Sequence, residues 1–387
     1  MKLFSSCKVK KIIIITSVSV ATAMLVISLI AFILIQSYIN KMNLVAIDNN
    51  DSVNIIPNAE ADIIEDDLSS LNKNNQVLDT EDYDILEDEE ATAFTDDLQK
   101  DIDLVEERIR ANMEEAKTPI MEDKDVQNIL LIGSDTRVTG EKGRSDAMII
   151  ISLNEKTKSI TATSIMRDIY LHIPGKGNNR INAAYAFGGA DLLMDTIKQN
   201  LKIEVNRYVS IDFYAFIDVI NELGGVNIEV SEKEMSIINN SVNNMNILTG
   251  EEGQHQLLEP GLHLLNGKQA LEYARIRKVG NSDFERTARQ RRVLEQVFDG
   301  IKDLDLIELN DLANVILPQV TTNLTKGEIF SLILGLPSYR NYDLQELRIP
   351  IDGSYTNMRI KGMAVLNIDF NKNINEIRYK IYQENKE

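Results

Sequence analysis

The sequence is poor in the residue types that build disulfides, thiolate sites and histidine metal sites. Its 387 residues include one cysteine, Cys7, three histidines and no tryptophan. One cysteine cannot form an internal disulfide, so the chain must be held together by a buried core. Because Cys7 precedes a long apolar segment, thiol nucleophiles and zinc–thiolate sites are excluded from the chain after that segment. The histidines lack metal-ligand spacing; they are His172, His255 and His263.

Charge is absent from residues 12–35, a run of 24 mostly apolar residues. A helix of that length crosses a hydrocarbon core of about 30 Å. The run is too long for a cleaved secretory signal and has no polar face for an interfacial helix. Lysines precede it and acidic residues dominate after it. The positive-inside rule then predicts a single-pass protein of the cell membrane, with a cytoplasmic N-terminus at 1–11, a membrane helix at 12–35 and the rest outside the cell.

Basic residues are scarce between the membrane segment and residue 125. Residues 48–123 hold 25 Asp and Glu against 5 Lys and Arg, whereas the rest of the chain holds 35 against 36. The net charge of −19 therefore belongs to this segment, and residues 36–125 are expected to form an acidic extracellular linker. It lacks the Asp-x-Asp-x-Asp-Gly pattern of a calcium loop. Apolar residues spaced by three and four predict a short amphipathic helix near 92–117.

From residue 126 to 387 the sequence alternates between β-rich runs and segments of helical spacing. VQNILLIGSD, DAMIIISLN and KSITATSIM predict strands, with a hairpin between the last two. NAAYAFGGADLLMDTIKQNL and DFERTARQRRVLEQVFDGIKDL predict helices, the second with Asp283 as its N-cap. Helices that interleave with strands, one pair of which forms a hairpin, predict an α/β domain with a mixed sheet. The weakly patterned segment 231–258 is expected to be a long loop.

Two carboxylates stand at the ends of neighbouring predicted strands. Asp135 follows the first strand in GSDTR, and Asp146 precedes the second in GRSDA. Oxygen ligands without Cys or His suit Mg²⁺ or Mn²⁺, although two aspartates beside Gly and Ser could equally be turn residues. Arg137, Arg144 and Arg167 lie at the same strand ends. Arg167 follows an apolar strand, where a charge without a partner is costly.

The segment YARIRKVGNSDFERTARQRR concentrates six arginines in twenty positions, 273–292. Arg275 and Arg277 are two apart, so an extended segment would point both to one face. Arg286, Arg289 and Gln290 are separated by three and four positions, so on a helix they share a face, while Arg291 and Arg292 suit a solvated surface. A nucleic-acid partner would also fit these arginines, but the predicted location outside the cell argues against it. Carboxylates for a cation and arginines for phosphate oxygens are typical of phosphoryl transfer.

Six segments resemble, in order, the successive motifs of the LytR-CpsA-Psr family. They are NILLIGSDTR, GRSDAMIIISLN, SIMRDIYLHIPG, RINAAYAFGG, YVSIDFYAFIDVINELGGVNIEV and LNGKQALEYARIRKVGNSDFERTARQRRVLE. The resemblance runs from about 126 to 300, and more loosely to about 370. It implies an α-β-α sandwich with an apolar pocket for a prenyl tail, behind one N-terminal membrane helix. It also implies a transferase that moves a glycopolymer from a polyprenyl-pyrophosphate carrier to peptidoglycan, forming a phosphodiester to a muramic acid hydroxyl.

The resemblance also assigns residues, motif by motif. Asp135 and Asp146 match the carboxylates that the family uses for Mg²⁺, and one of them could be the general base. With these two, the expected catalytic residues are Arg167, Arg275 and Arg277. The substrate-binding residues expected from these motifs are Arg180, Arg286 and Gln290. Arg137 and Arg144 at the strand ends and Arg289 on the predicted helix face are added to them from their positions in the sequence.

Three departures from the family pattern leave these expected residues in place. Met166 stands where proline is common, Arg180 replaces a frequent lysine, and Glu285 replaces a common glycine, which would place an acid beside the phosphate site. Two other functions stay open: a lipid pyrophosphatase, and a membrane-anchored regulator or polymer-binding protein without chemistry. The transferred polymer could be a teichoic acid, a capsule or another wall polysaccharide.

Overall fold

A computed structural model describes residues 43–44, 96–114, 119–134, 145–249, 256–280 and 282–383. The predicted membrane segment at 12–35 and most of the acidic linker lie outside the described residues. Within the described ranges, no helix combines the length and the apolar character needed to cross a membrane.

A seven-stranded mixed sheet forms the centre of the domain. Its strands in chain order are β1 (Asn43–Leu44), β2 (Val126–Ser134), β3 (Ser145–Asn154), β4 (Ser159–Ile165), β7 (Arg207–Ile211), β10 (Thr321–Thr322) and β11 (Asp343–Ile349). Their spatial order is β1-β10-β7-β2-β3-β4-β11. β3 pairs antiparallel with both β2 and β4, while β2–β7 and β4–β11 are parallel. The predicted mixed sheet and its β3–β4 hairpin are therefore confirmed.

Three two-stranded hairpins accompany this sheet. They are β5 (Tyr170–Ile173) with β6 (Gly177–Arg180), β8 (Val226–Val230) with β9 (Gly261–Leu265), and β12 (Tyr355–Ile360) with β13 (Met363–Ile368). The α-helices of the described residues are α1 (Asp96–Glu114), α2 (Asn182–Leu201), α3 (Phe213–Glu222), α4 (Glu232–Thr249), α5 (Gly267–Arg275), α6 (Ser282–Asp303), α7 (Leu306–Ile316), α8 (Lys326–Tyr339) and α9 (Phe370–Tyr382).

Helices cover both faces of the sheet because β2 carries apolar residues on both sides. Leu130 and Ile132 point to one face, where they join the main core with residues of α1, α2 and α9. Ile129 and Leu131 point to the other face and pack against Leu324 and residues of α8. A strand buried on both faces has a continuous apolar run in its sequence, as in ILLI at 129–132. The layers form an α-β-α sandwich.

A second, smaller core lies beside the sandwich. Residues of α3, the β8–β9 hairpin, α4, α5 and α6 meet there, with Ile228, Ile238, Tyr273 and Ile276 among its buried members. Gly267 begins α5 against the backbone of Ile217 in α3, so close that an added Cβ would overlap it. This core carries the segment in which the arginines of the sequence are concentrated.

The prediction of a long loop at 231–258 was wrong, because most of this segment forms the helix α4. Ser231 and Glu234 form a capping box: the Glu234 carboxylate accepts from the Ser231 amide at 2.9 Å and from its hydroxyl at 2.6 Å. Ile238 and Val242 then bury one face of the helix. The asparagines that obscured this pattern serve tertiary contacts, since Asn239 donates to and accepts from the backbone of Leu257, both at 2.8 Å.

The amphipathic helix predicted near 92–117 is confirmed as α1, and it packs on the sandwich. Ile102, Val105 and Ile109 are buried in the main core. Asn112 donates to the carbonyl of Asn200 at 3.1 Å, and Lys202 donates to the carbonyl of Asn112 at 2.8 Å. The folded unit therefore extends ahead of the domain start predicted at residue 126.

Candidate active site

Strand polarity brings distant charged residues together at one edge of the sheet. β3 is antiparallel to β2 and β4, so its first residues meet the last residues of both neighbours. Asp146 is the second residue of β3, and Arg167 lies two residues beyond the end of β4. Nη1 of Arg167 donates to Oδ1 of Asp146 at 3.0 Å. The charge of Arg167, which follows the apolar strand β4, is thus paired with Asp146.

Helix α6 adds two further charges to this edge. Nη2 of Arg286 lies 2.8 Å from Oδ1 of Asp283, and Nε of Arg167 lies 3.7 Å from the same oxygen. The loop after α5 adds Arg277, whose Nη2 lies 3.7 Å from Oδ1 of Asp146. Asp283 was expected to be an N-cap, but α6 begins at Ser282 and Asp283 lies inside its first turn.

The hairpin β5–β6 completes the group. Nη1 of Arg180 lies 3.3 Å from Oδ1 of Asp168, and Nε of Arg167 lies 3.5 Å from Oδ2 of Asp168. We call the resulting set the arginine cluster; its members are Arg167, Arg180, Arg277 and Arg286 with Asp146, Asp168 and Asp283. Four guanidinium groups face three carboxyl groups, so the cluster is suited to an anion.

Arg286 is the most buried cation of the cluster. Its side chain is 4% exposed, and among the described residues its Nε and Nη1 atoms have no hydrogen-bond partner. Burial, together with the nearby charges of Arg167 and Arg277, lowers the pKa of Arg286 to about 10, in spite of the opposing effect of Asp283. A buried guanidinium with unused donors and a depressed pKa is held in an environment that an anionic ligand would relieve.

Asp168 and Asp283 were missed as site residues in the sequence. Their carboxyl groups interact, so that each affects the pKa of the other. Burial raises the pKa of Asp168, and the charge of Asp283 adds to this effect. Burial acts to raise the pKa of Asp283 as well. The charges of Arg286 and Arg167 nevertheless hold that pKa below the usual range. The sequence carried a signal for both, since Asp168 directly follows Arg167 and Asp283 is three residues before Arg286.

Arg275 and Arg277 were expected to lie in one extended segment. They do not, because Arg275 is the last residue of α5. Its Nη1 donates to Oε1 of Glu272 at 3.0 Å, and its guanidinium lies 4.9 Å from the centre of the Phe213 ring. Between the two arginines, Ile276 is buried in the second core. The described contacts of the two side chains thus belong to different groups, with Arg277 beside Asp146.

Arg289, which was expected to bind substrate, makes three contacts within the protein. It is 2% exposed, and its Nε donates to Oε1 of Glu234 at 2.7 Å. Its Nη1 and Nη2 donate to the carbonyls of Ile276 and Val279 at 3.1 and 3.0 Å. These carbonyls flank Arg277, so Arg289 holds the loop that presents Arg277 to the cluster.

The other residues of α6 separate by helix face. Gln290 is half-buried one turn after Arg286. Arg291 pairs with Glu346 at 2.8 Å, and the exposed Arg292 donates to the Tyr273 hydroxyl at 3.1 Å. Glu285 packs its side chain against Gly280, where φ is +81° and a Cβ would crowd it. This acid therefore stands on a different face of α6 from Arg286, away from the arginine cluster.

Part of the predicted site lies outside the described residues: Asp135, Arg137 and Arg144. No group of three or more His, Cys, Asp or Glu residues suited to a metal ion occurs in the ranges that the structure describes. Asp146 does fit a share in such a site, since its described contacts are made by Oδ1, which leaves Oδ2 for a cation. The predicted Mg²⁺ or Mn²⁺ site at Asp135 and Asp146 stays a prediction.

Known proteins share both the sequence and the fold. TagU of Bacillus cereus, named a polyisoprenyl-teichoic acid–peptidoglycan teichoic acid transferase, is 32% identical over 263 residues, which are 63% of this chain and 80% of TagU. The regulatory protein MsrR of Staphylococcus aureus is 34% identical over 254 residues, 64% of this chain and 72% of MsrR.

A solved structure matches the sandwich. The structure of YwtF (TagT) with bound octaprenyl pyrophosphate lipid superposes with a TM-score of 0.51 at 27% identity, covering 69% of this chain and 94% of YwtF. The sequence profile described as the LytR_cpsA_psr family matches residues 71–381. The match spans most of the chain, including the strand ends and α6 with the arginine cluster, and the chain belongs to the LytR_cpsA_psr family.

Proposed function

We propose that this protein is a membrane-anchored phosphotransferase. It transfers a glycopolymer from a polyprenyl-pyrophosphate carrier to a hydroxyl of peptidoglycan muramic acid. The observation that carries the proposal is Arg286, buried beside Arg167 and Arg277 with two nitrogen atoms that lack a partner among the described residues. A pyrophosphate supplies the acceptor oxygens that such donors need. The names of TagU and of the lipid-bound YwtF support the same substrate class.

The proposed reaction exchanges one phosphorus–oxygen bond for another. The acceptor hydroxyl attacks the phosphorus that carries the polymer's sugar. The bond from that phosphorus to the bridging oxygen breaks, and polyprenyl phosphate leaves with the bond's electron pair. Arg167, Arg277 and Arg286 bind the pyrophosphate oxygens and stabilise the charge that develops on the leaving phosphate. Asp168 and Asp283 hold Arg167 and Arg286 in place through the contacts described above.

Mg²⁺, held by Asp146 together with Asp135, would neutralise phosphate charge in this reaction. We retain Asp135 and Asp146 as candidates for the base that takes the proton of the acceptor hydroxyl. Arg137, Arg144, Arg180 and Gln290 are proposed to bind the head group, and Arg275 to support it from the end of α5. The anchor at 12–35 would place the domain outside the cell, beside its lipid substrate.

Product analysis in a reconstituted reaction tests this proposal. The full-length protein in detergent would be incubated with lipid-linked polymer, Mg²⁺ and an uncross-linked peptidoglycan oligomer. The proposal predicts polymer joined to the oligomer through a phosphodiester, with release of polyprenyl phosphate. Free phosphorylated polymer would identify a pyrophosphatase instead. Unchanged lipid with binding retained would indicate a regulator, as the name of MsrR suggests for that relative, and would overturn the transferase.

A further inference from the structure

A groove of about 850 Å³ lies beside α6, on the side away from the arginine cluster. One wall is the outward side of β8, with Asn227 and Glu229, followed by Ser231. The other wall is a face of α6, and the end of the groove is the loop at Val279 and Gly280. Its volume falls in the range of about 300–1,000 Å³ that ligand-binding clefts occupy. Nothing in the transfer mechanism above uses it.

Residues of α6 at helical spacing divide the two sites. Glu285, Arg289, Arg292 and Gln296 line the groove, and their spacing of three and four places them on one face. Arg286 follows Glu285 directly but belongs to the arginine cluster. The loop is divided in the same way, since Val279 and Gly280 line the groove while Arg277 approaches Asp146. The sites are thus separated by about the 10 Å width of one helix.

The charge of the groove is opposite to that of the arginine cluster. Its charged residues are Glu229, Glu234, Glu285, Glu295, Arg289 and Arg292. The buried pair of Glu234 with Arg289 is neutral, which leaves three carboxylates against Arg292. A polyanion such as a phosphate-rich polymer is repelled by such a surface, whereas an uncharged chain is not.

The polar groups of the groove suit a glycan. Carboxylates of Glu229 and Glu295 accept hydrogen bonds from hydroxyls, the amides of Asn227 and Gln296 both donate and accept, and Arg292 donates. Glu229 and Glu295 are exposed, so they can exchange water for sugar hydroxyls without a large desolvation cost. Sugar chains offer both donors and acceptors along their whole length.

We propose that this groove binds the uncharged glycan of the acceptor and leads its hydroxyl over the first turn of α6 to the pyrophosphate. The inference rests on the proposed transferase function and names which substrate lies on which side of α6. The anionic donor occupies the arginine cluster, and the acceptor occupies the acidic groove. Opposite charges on the two sites keep the donor polymer out of the acceptor groove.

Filling the groove tests this inference. Asn227→Trp places a large ring in the groove from an exposed position of β8, and Gln296→Trp does so from α6. Asn240→Trp is the matched control, because Asn240 is exposed on α4 and does not line the groove. The KM for the peptidoglycan oligomer should rise by about fivefold or more in both groove variants, as expected for the loss of at least one hydrogen bond. The KM for the lipid-linked polymer and the melting temperature should not change.

Equilibrium binding separates this inference from the transferase proposal. Calorimetry with the peptidoglycan oligomer needs no chemistry, so it reports on the groove even if the wild type transfers nothing. Weaker oligomer binding by both groove variants, with normal binding by Asn240→Trp, supports the acceptor groove. Unchanged oligomer binding, or a loss of affinity for the lipid-linked polymer instead, would overturn it.

Discussion

Replacing Arg286 by methionine should make the unliganded protein more stable while it removes pyrophosphate binding. Burial and two neighbouring arginines hold the pKa of Arg286 at about 10. That value is at least about two units below the ordinary pKa of a guanidinium, and each unit corresponds to about 1.4 kcal/mol. Relative to its neutral form, the charged guanidinium therefore destabilises the folded state by about 3 kcal/mol, with the attraction of Asp283 already included. Methionine has a similar length, carries no charge and adapts to irregular spaces.

The sign follows from the direction of the shift. A basic group with a lowered pKa is charged at a cost in the folded state, and this cost is complete at every pH well below about 10. Arg286→Met should thus raise the free energy of unfolding equally at pH 6 and pH 8. For a domain of this size each kcal/mol raises the melting temperature by about 2–4 °C.

The assay is thermal unfolding with and without inorganic pyrophosphate. At a hundredfold excess over Kd, pyrophosphate should raise the free energy of unfolding of the wild type by about 2.7 kcal/mol, and its melting temperature with it. The melting temperature of Arg286→Met should stay almost unchanged. Arg291→Met is the matched control, since Arg291 lies on the same helix, is also mostly buried, and pairs with Glu346 outside the arginine cluster. A variant at Arg286 that is less stable than the wild type, or that gains as much from pyrophosphate, would refute the reasoning.

Three further predictions concern the second core and its helix caps. Arg289→Met should lower the free energy of unfolding by about 3–5 kcal/mol in urea, because it strands the buried carboxylate of Glu234; a loss below about 1 kcal/mol would contradict this. Hydrogen bonds from Ser231 and Arg289 lower the pKa of Glu234 in spite of burial. The free energy of unfolding should therefore decrease as the pH drops below about 4. In Glu234→Gln, the free energy of unfolding should decrease less between pH 5 and 3. Gly267→Ala should cost about 1–3 kcal/mol, because its Cβ would overlap the backbone of Ile217; equal denaturant midpoints would disprove the close contact.

The sandwich could be predicted because its signals are local. ILLI is an apolar run, SITATSI is rich in β-branched residues, and the hairpin between β3 and β4 follows from the short polar turn that joins them. The helix α4 was not predicted, because its many asparagines obscure the weak helical spacing of its apolar residues. Its capping box, Ser231-x-x-Glu234, is a four-residue signal that could have been used to predict the helix from the sequence.

The candidate site could be predicted only in part from the sequence, because the contacts at this edge of the sheet join residues that are far apart in the sequence. Arg167 and Arg286 were found through their motifs, yet Asp168 was not singled out and Asp283 was interpreted as a helix cap. Arg289 shared helical spacing with Gln296 and Arg292 as well as with Arg286. Only the fold shows that its side chain enters the second core to hold the loop of Arg277.

The central claim is that the arginine cluster binds the pyrophosphate from which the polymer is transferred. Its most direct test is the rate of transfer of labelled polymer to a peptidoglycan oligomer by wild type, Arg277→Met and Arg291→Met, each confirmed to be folded by its melting temperature. Loss of one preorganised donor to a developing anion lowers rates by about 10²–10³. We predict a loss of that size for Arg277→Met and a rate close to wild type for Arg291→Met. Transfer by Arg277→Met at the wild-type rate would contradict the account.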